Sequence, residues 1–256
     1  MPEITAYALG MPCWTDLGTS DAAGAQAFYG SLFGWTFDVG GPELGGYTRC
    51  LRGGRAVAGL MPGEEGAPAS WNTYFAVADA EATADRVIRA GGKVVAGPID
   101  ISDLGAMVVA LDPVGNSFGM WQAGSHLGAE LVGEHGAMVW QELATRDLPS
   151  AESFYGEVFG FDSDVIEARG GAAYRVLKVS DVPIGGILQM TDAWPDGLPS
   201  QWMTYFLSDD AGQVAAHAAD AGGRAIVAPF DSGYGTVAVI QDPQGATFAV
   251  IQSARG

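Results

Sequence analysis

Few side chains in this 256-residue sequence are equipped for chemistry. It has three histidines, His126, His135 and His217, and two cysteines, Cys13 and Cys50. The cysteines form no Cys-x-x-Cys pair, so they can build neither a disulfide framework nor a thiol-rich zinc site. Both are expected as small buried hydrophobes. No Gly-x-Ser-x-Gly elbow, phosphate-binding loop or His-Glu-x-x-His helix is present. What the chain does offer is tryptophan beside acid at a spacing of two, in Trp14-x-Asp16 and Trp140-x-Glu142. Asn72-x-Tyr74 and Met203-x-Tyr205 share that spacing. On a strand, residues i and i+2 face the same side, so each pair presents both side chains together. Indole and phenol around one carboxylate suit a flat or cationic molecule, through stacking and cation–π attraction. A carboxylate between apolar walls also keeps its proton to higher pH, which fits it for acid–base work.

The elements that must position these pairs are written twice. Trp14, Leu17, Asp21, Phe28-Tyr29-Gly30 and Phe33-Gly34 recur 126 residues later as Trp140, Leu143, Asp147, Phe154-Tyr155-Gly156 and Phe159-Gly160. Trp71 to Phe75 and Ala90-Gly91-Gly92 recur 131 residues on, and Asp112-Pro113-x-Gly115 recurs 130 residues on. The drift in offset fits small loop insertions, which surface loops tolerate. Strands are expected at 7–15 and 137–145. Helices capped by Asp21 and Asp147 should run to about Leu32 and Val158 and end at Gly34 and Gly160. Short strands follow at 46–51, 55–61, 173–179 and 184–190. The pattern then restarts with a strand at 71–77, a helix at 79–90 and strands at 93–96, 106–111 and 116–122, mirrored from Trp202 onward. The fold class is therefore α+β, with two βαβββ modules per copy. The expected domains are 1–123 and 137–256, joined by a polar, Gly-containing linker at 124–136.

This order and these marks resemble the glyoxalase/bleomycin-resistance/extradiol dioxygenase (VOC) superfamily, and Pro12-Cys13-Trp14-x-Asp16-Leu17 looks like its tandem two-domain actinobacterial subgroup. The resemblance implies a U-shaped mixed sheet around a cavity in each copy. It also implies inward-facing strand positions where the family's enzymes hold a divalent metal. Those positions fall on Trp14, Asn72, Gly119 and the stretch 59–61 in the first copy. In the second they fall on Trp140, Met203, Ala249 and the stretch 186–188. A catalytic divalent ion needs about three nitrogen or oxygen donors and an open position. Indole, amide and thioether do not supply them, so no metal and no cofactor are expected. Trp14, Asn72, Tyr74, Trp121, Trp140, Met203 and Tyr205 are instead the expected ligand-binding residues, with Gly119 and Ala249 leaving room. Asp16 and Glu142 are the candidate catalytic groups if the protein is an enzyme.

Composition narrows the partners. With 12 basic and 30 acidic residues the net charge is −18. That sign repels nucleic acid and anionic membranes and attracts cations. The apolar runs are too short for a membrane helix, and no signal peptide is seen, so a cytoplasmic protein is expected. Two copies in one chain stand in for the dimer of single-domain relatives, so a monomer with an internal pseudo-dimer is expected. The functional expectation is a metal-free protein that binds, and sequesters, a small aromatic or cationic compound. The alternative is a metal-independent cyclase, isomerase or hydroxylase-like enzyme of natural-product metabolism that uses a pocket carboxylate. A metal-dependent glyoxalase or dioxygenase has the least support. A third reading makes the aromatics plugs of a scaffold whose cavities hold nothing.

Overall fold

The computed structural model describes residues 4–41, 44–64, 66–168, 171–192, 194 and 198–253. The first copy runs β1 (Pro12–Thr19), α1 (Ala22–Phe33), β2 (Thr36–Val39), β3 (Thr48–Arg52), β4 (Arg55–Pro62), β5 (Ser70–Ala76), α2 (Ala80–Arg89), β6 (Lys93–Ile101), β7 (Gly105–Leu111) and β8 (Ser117–Ala123). The second repeats it as β9 (Met138–Thr145), α3 (Leu148–Phe159), β10 (Asp162–Glu167), β11 (Ala173–Val179), β12 (Val182–Gln189), β13 (Gln201–Leu207), α4 (Ala211–Asp220), β14 (Arg224–Asp231), β15 (Gly235–Gln241) and β16 (Thr247–Ser253).

Each copy is thus two βαβββ modules sharing one eight-stranded mixed sheet, ordered β2-β3-β4-β1-β5-β8-β7-β6 and β10-β11-β12-β9-β13-β16-β15-β14. The first strands of the two modules pair antiparallel at the centre, β1 with β5 and β9 with β13. The edge strands β2 and β10 lack the buried alternation that marks a strand in sequence, because most of their side chains face water. The segment read as ending at 96 continues to Ile101 through Pro98, which an edge strand tolerates because one rim needs no ladder donor. β1 begins at Pro12 rather than at residue 7. Among the described residues no helix is long and apolar enough to cross a membrane.

The helix ends follow the expected chemistry. Asp21 and Asp147 accept from the Gly24 and Ser150 backbone N–H groups, and Gly34 and Gly160 close α1 and α3 in the left-handed region. α1 and α3 each carry aromatic side chains into the other copy. Phe28 and Phe33 of α1 pack on Phe248 and Phe206, and Phe154 and Tyr155 of α3 pack on Phe118. The buried Tyr29 hydroxyl accepts from Trp71 Nε1 at 3.0 Å and donates to Asp242 at 2.8 Å. Tyr155 repeats this with Trp202 at 2.8 Å and Asp112 at 3.3 Å. The Phe-Tyr-Gly motif of one copy is therefore fastened to the Asp-Pro-x-Gly motif of the other, in both directions. Between the sheets Thr15, Thr73, Gln141 and Thr204 bond to one another at 2.8–3.0 Å. The segment expected as a linker is packed against the first copy, with Ala129 and Leu131 buried and the Ala129 N–H bonded to the Cys13 carbonyl.

Removing the Tyr29 hydroxyl strands the Trp71 N–H and takes the donor from Asp242 Oδ2, whereas removing that of Tyr155 strands the Trp202 N–H while Asp112 Oδ2 keeps Asn116 Nδ2 at 2.6 Å. Tyr29→Phe and Tyr155→Phe should each lower stability by about 1–3 kcal/mol, with roughly additive losses in the double variant because the two sites share no partner. Urea unfolding checks both expectations.

Candidate functional site

The face of β1 opposite the intersheet threonines carries Trp14 and Asp16, and the matching face of β5 carries Asn72 and Tyr74. Register sets Asp16 across from Asn72 on one side and Gly59 of β4 on the other. Tyr74 lies beside Gly119 of β8. Trp14, Asp16, Asn72 and Tyr74 therefore come together on one face of the sheet, as the first cup.

Tyr47, at the start of β3, completes the group. Its hydroxyl accepts from Trp14 Nε1 at 2.7 Å and donates to Asp16 Oδ2 at 3.4 Å. Asn72 Nδ2 donates to Asp16 Oδ1 at 3.0 Å, and the Tyr74 hydroxyl also bonds the carboxylate. Burial pushes the Asp16 carboxyl up to about 6, against the opposing pull of the Asn72, Tyr74 and Tyr47 hydrogen bonds. The second copy repeats the arrangement. Trp140 Nε1 donates to Tyr174 at 3.0 Å, and Glu142 accepts from Tyr174 at 3.0 Å and Tyr205 at 2.8 Å. Burial raises Glu142 too, and both tyrosines counter it. Met203 stands opposite Glu142 where the first copy has Asn72, and it packs with Tyr205, Val237, Val239 and Ala249.

The space expected beside Gly119 is filled. A Cβ there would lie 2.1 Å from the Tyr74 ring, so the glycine exists to admit the tyrosine. Gly59 and Gly186 serve Tyr47 and Tyr174 in the same way, since a Cβ would come within 1.9 and 2.0 Å of their hydroxyls. Ala249 is fully buried in the packed cluster. Two surface depressions, of about 350 and 330 Å³, lie elsewhere and contain no cup residue.

A divalent metal does not fit this donor set. Each cup has one carboxylate, already bonded to tyrosine hydroxyls, and a tyrosine takes the room that a ligand on β4 would need. Among the described residues no three His, Cys, Asp or Glu side chains converge. What the arrangement can do is stack a flat group, accept or donate a hydrogen bond at a proton-retaining carboxyl, and attract a cation.

The cups differ at their mouths. Trp14 and Asp16 are only 5% and 2% exposed. Against Trp14 lies His126, whose ring meets it edge-on at 4.7 Å between centroids and meets Trp121 at 5.6 Å. Trp121, expected to line a binding surface, instead donates from Nε1 to the His126 carbonyl at 2.8 Å. Burial, with Arg49 nearby, lowers the pKa of His126. In the second cup Trp140 and Glu142 are half-buried, and Tyr234, on the turn before β15, is 71% exposed. Sequence reasoning missed Tyr47, Tyr174 and His126. The first two were findable, because they stand 127 residues apart, within the 126–131 range of offsets between the copies. His126 lies outside the repeat and carried no such signal.

Asp16 makes a pH prediction. Its carboxyl is raised in the folded state, so its contribution is fully present below the unfolded value of 3.8 and is lost as pH rises through about 6. In Asp16→Asn that titration is gone. Between about pH 4 and pH 7 the stability difference should move in favour of the variant by about 3 kcal/mol. Denaturant titrations across that range measure the difference.

Comparison with known proteins agrees with this architecture. The profile of the Glyoxalase/Bleomycin resistance protein/Dioxygenase superfamily matches residues 137–250, and that of a Glyoxalase-like domain matches residues 14–120. "Putative glyoxylase CFP32" of Mycobacterium tuberculosis (strain CDC 1551 / Oshkosh) is 42% identical over 99% of both chains. "Anthracycline biosynthesis protein DauV" of Streptomyces sp. (strain C5) is 35% identical over 97% of this chain and 95% of its own. Among solved structures, the Mn(II)-bound glyoxalase from Novosphingobium aromaticivorans aligns with a TM-score of 0.67 at 16% identity, over 95% of this chain and 82% of that one. The 2,3-dioxygenase LapB from Pseudomonas sp. KL28 aligns with a TM-score of 0.67 at 14% identity, over 96% and 94%. At those identities the likeness is one of fold.

Proposed function

We infer the function from the premise that this chain belongs to the Glyoxalase/Bleomycin resistance protein/Dioxygenase superfamily. We propose that it binds a flat aromatic or cationic small molecule in the second cup, without a protein-held divalent metal. The observation that carries this is the half-buried Trp140–Glu142 pair, backed by the Tyr174 and Tyr205 hydroxyls. The indole offers a face or edge to a planar ring, and Glu142 offers a hydrogen bond or a charge to an amine or hydroxyl on it. The net charge of −18 draws cations from a distance. Relatives named for anthracycline biosynthesis, similar over nearly the whole chain, make a polycyclic aromatic compound a fitting candidate. On this reading the chain works as a cytoplasmic monomer that sequesters its ligand, with no part for nucleic acid.

A second reading is favoured by one specific feature, the raised pKa of Glu142. A carboxyl raised by burial can deliver its proton to a bound carbonyl and, once ionised, is a stronger base toward an adjacent C–H, which would make the protein a metal-independent enzyme of natural-product metabolism.

Titration with an anthracycline should quench tryptophan fluorescence saturably. Trp140→Phe should weaken binding and remove part of the quench. Glu142→Gln should weaken binding of an amine-bearing ligand about tenfold or more, the loss expected of a charge-assisted hydrogen bond. An absence of saturable binding across flat aromatic amines and anthracyclines sinks the binding reading. Turnover that disappears in Glu142→Gln while binding persists selects the enzymatic one.

A further inference from the structure

The two cups share a tryptophan–tyrosine–carboxyl floor and differ at their mouths, where the first carries His126. After β8 the chain turns back over the first cup. The Gly124 and His126 N–H groups bond to the Leu104 carbonyl at 2.8 and 3.2 Å, and the Ser125 N–H bonds to the Asp103 carbonyl at 2.8 Å. The Ala129 N–H bonds to the Cys13 carbonyl at 2.8 Å, and Tyr7 donates to the Ala129 carbonyl at 2.6 Å. Gly128 allows this close passage, at φ 123°, because a Cβ there would lie 2.4 Å from the Cys13 carbonyl oxygen. So tied, the strap lowers the imidazole of His126 onto Trp14 and Trp121. A planar nitrogen heterocycle thus rests edge-on against the cup tryptophan. The other histidines lie elsewhere, His135 beside Asp209 and His217 in α4. In the second copy Ile251 takes the place of Trp121, and Trp140 and Glu142 stay half-buried.

We propose that the first cup is an occupied binding site whose built-in occupant is His126, and that the site it fills accepts a planar aromatic heterocycle. One external ligand per chain is then held, in the second cup, with its ring against Trp140 as His126 lies against Trp14. This last step rests on the function proposed above, whereas the occupancy of the first cup does not.

The test is removal and replacement of the ring. His126→Gly should melt at lower temperature than the wild type. Free imidazole, added at about pH 8 where it is neutral, should raise that melting temperature saturably toward the wild-type value. It should leave the wild type and a His135→Gly control unmoved. His126→Ala is the milder variant should the glycine variant fail to fold, with the same readout. A melting temperature indifferent to imidazole in every His126 variant that folds, or an equal response in the His135 control, overturns the proposal. A planar aromatic amine should bind the wild type with one equivalent and His126→Ala with two. A wild-type stoichiometry of two also overturns it. If the amine binds neither protein while imidazole rescues His126→Gly, the reading of the second cup fails and the occupied first cup stands.

Discussion

A carboxylate taken out of water must be given donors, and this chain meets that requirement four times with one device. Asp242, Asp112, Asp16 and Glu142 each accept from a tyrosine hydroxyl, and each tyrosine accepts in turn from a tryptophan N–H: Trp71, Trp202, Trp14 and Trp140. An indole nitrogen can only donate and a carboxylate can only accept, so the hydroxyl between them has one possible polarity. In a low-dielectric interior such chains are strong when complete and expensive when broken. Two of the four hold the copies together and two line the cups. The same chemistry therefore sets both the frame and the site.

The first pair explains why the duplication works as a single body. α1 and α3 each bury their aromatic face against the other copy, and the tyrosine–aspartate bonds fix the register of that exchange. Between the sheets the Thr15–Gln141–Thr204–Thr73 cluster adds a polar seam in which every oxygen has a partner.

The second pair explains what became of the cups. Where a metal-binding relative would need three converging donors, the floor holds one carboxylate and the tyrosines that satisfy it. Gly59, Gly119 and Gly186 mark the change, because each lies where a side chain would collide with a tyrosine. The frame is symmetric, yet the mouths are not. Trp121 and the strap from Gly124 to Ala129 bury Trp14 in one cup, and the other leaves Trp140 and Glu142 half-buried.

Much of this was legible in the sequence because it is local or periodic. The N-cap aspartates, the left-handed glycines after α1 and α3, the strand–helix–strands order and the duplication all depend on neighbours within a few residues or on a fixed offset. The spacing of two placed Trp14 with Asp16 and Trp140 with Glu142, since a strand leaves no alternative. The edge strands β2 and β10 escaped because exposed strands carry no burial pattern. Partners across long separations escaped as well. Tyr29 on α1 finds Asp242 only when the two copies pack together, and Tyr47 finds Asp16 only when β3 and β1 are brought near each other across β4. Gly119 reads as room in a sequence and proves to be the seat of a tyrosine ring. His126 reads as part of a polar linker, and only the tertiary fold, by tying that strap to Leu104 and Cys13, turns it into the lid of a cup. Sequence determined which side chains share a face. Tertiary structure decided what fills the space in front of them, because that depends on the chain's return path and not on its spacing.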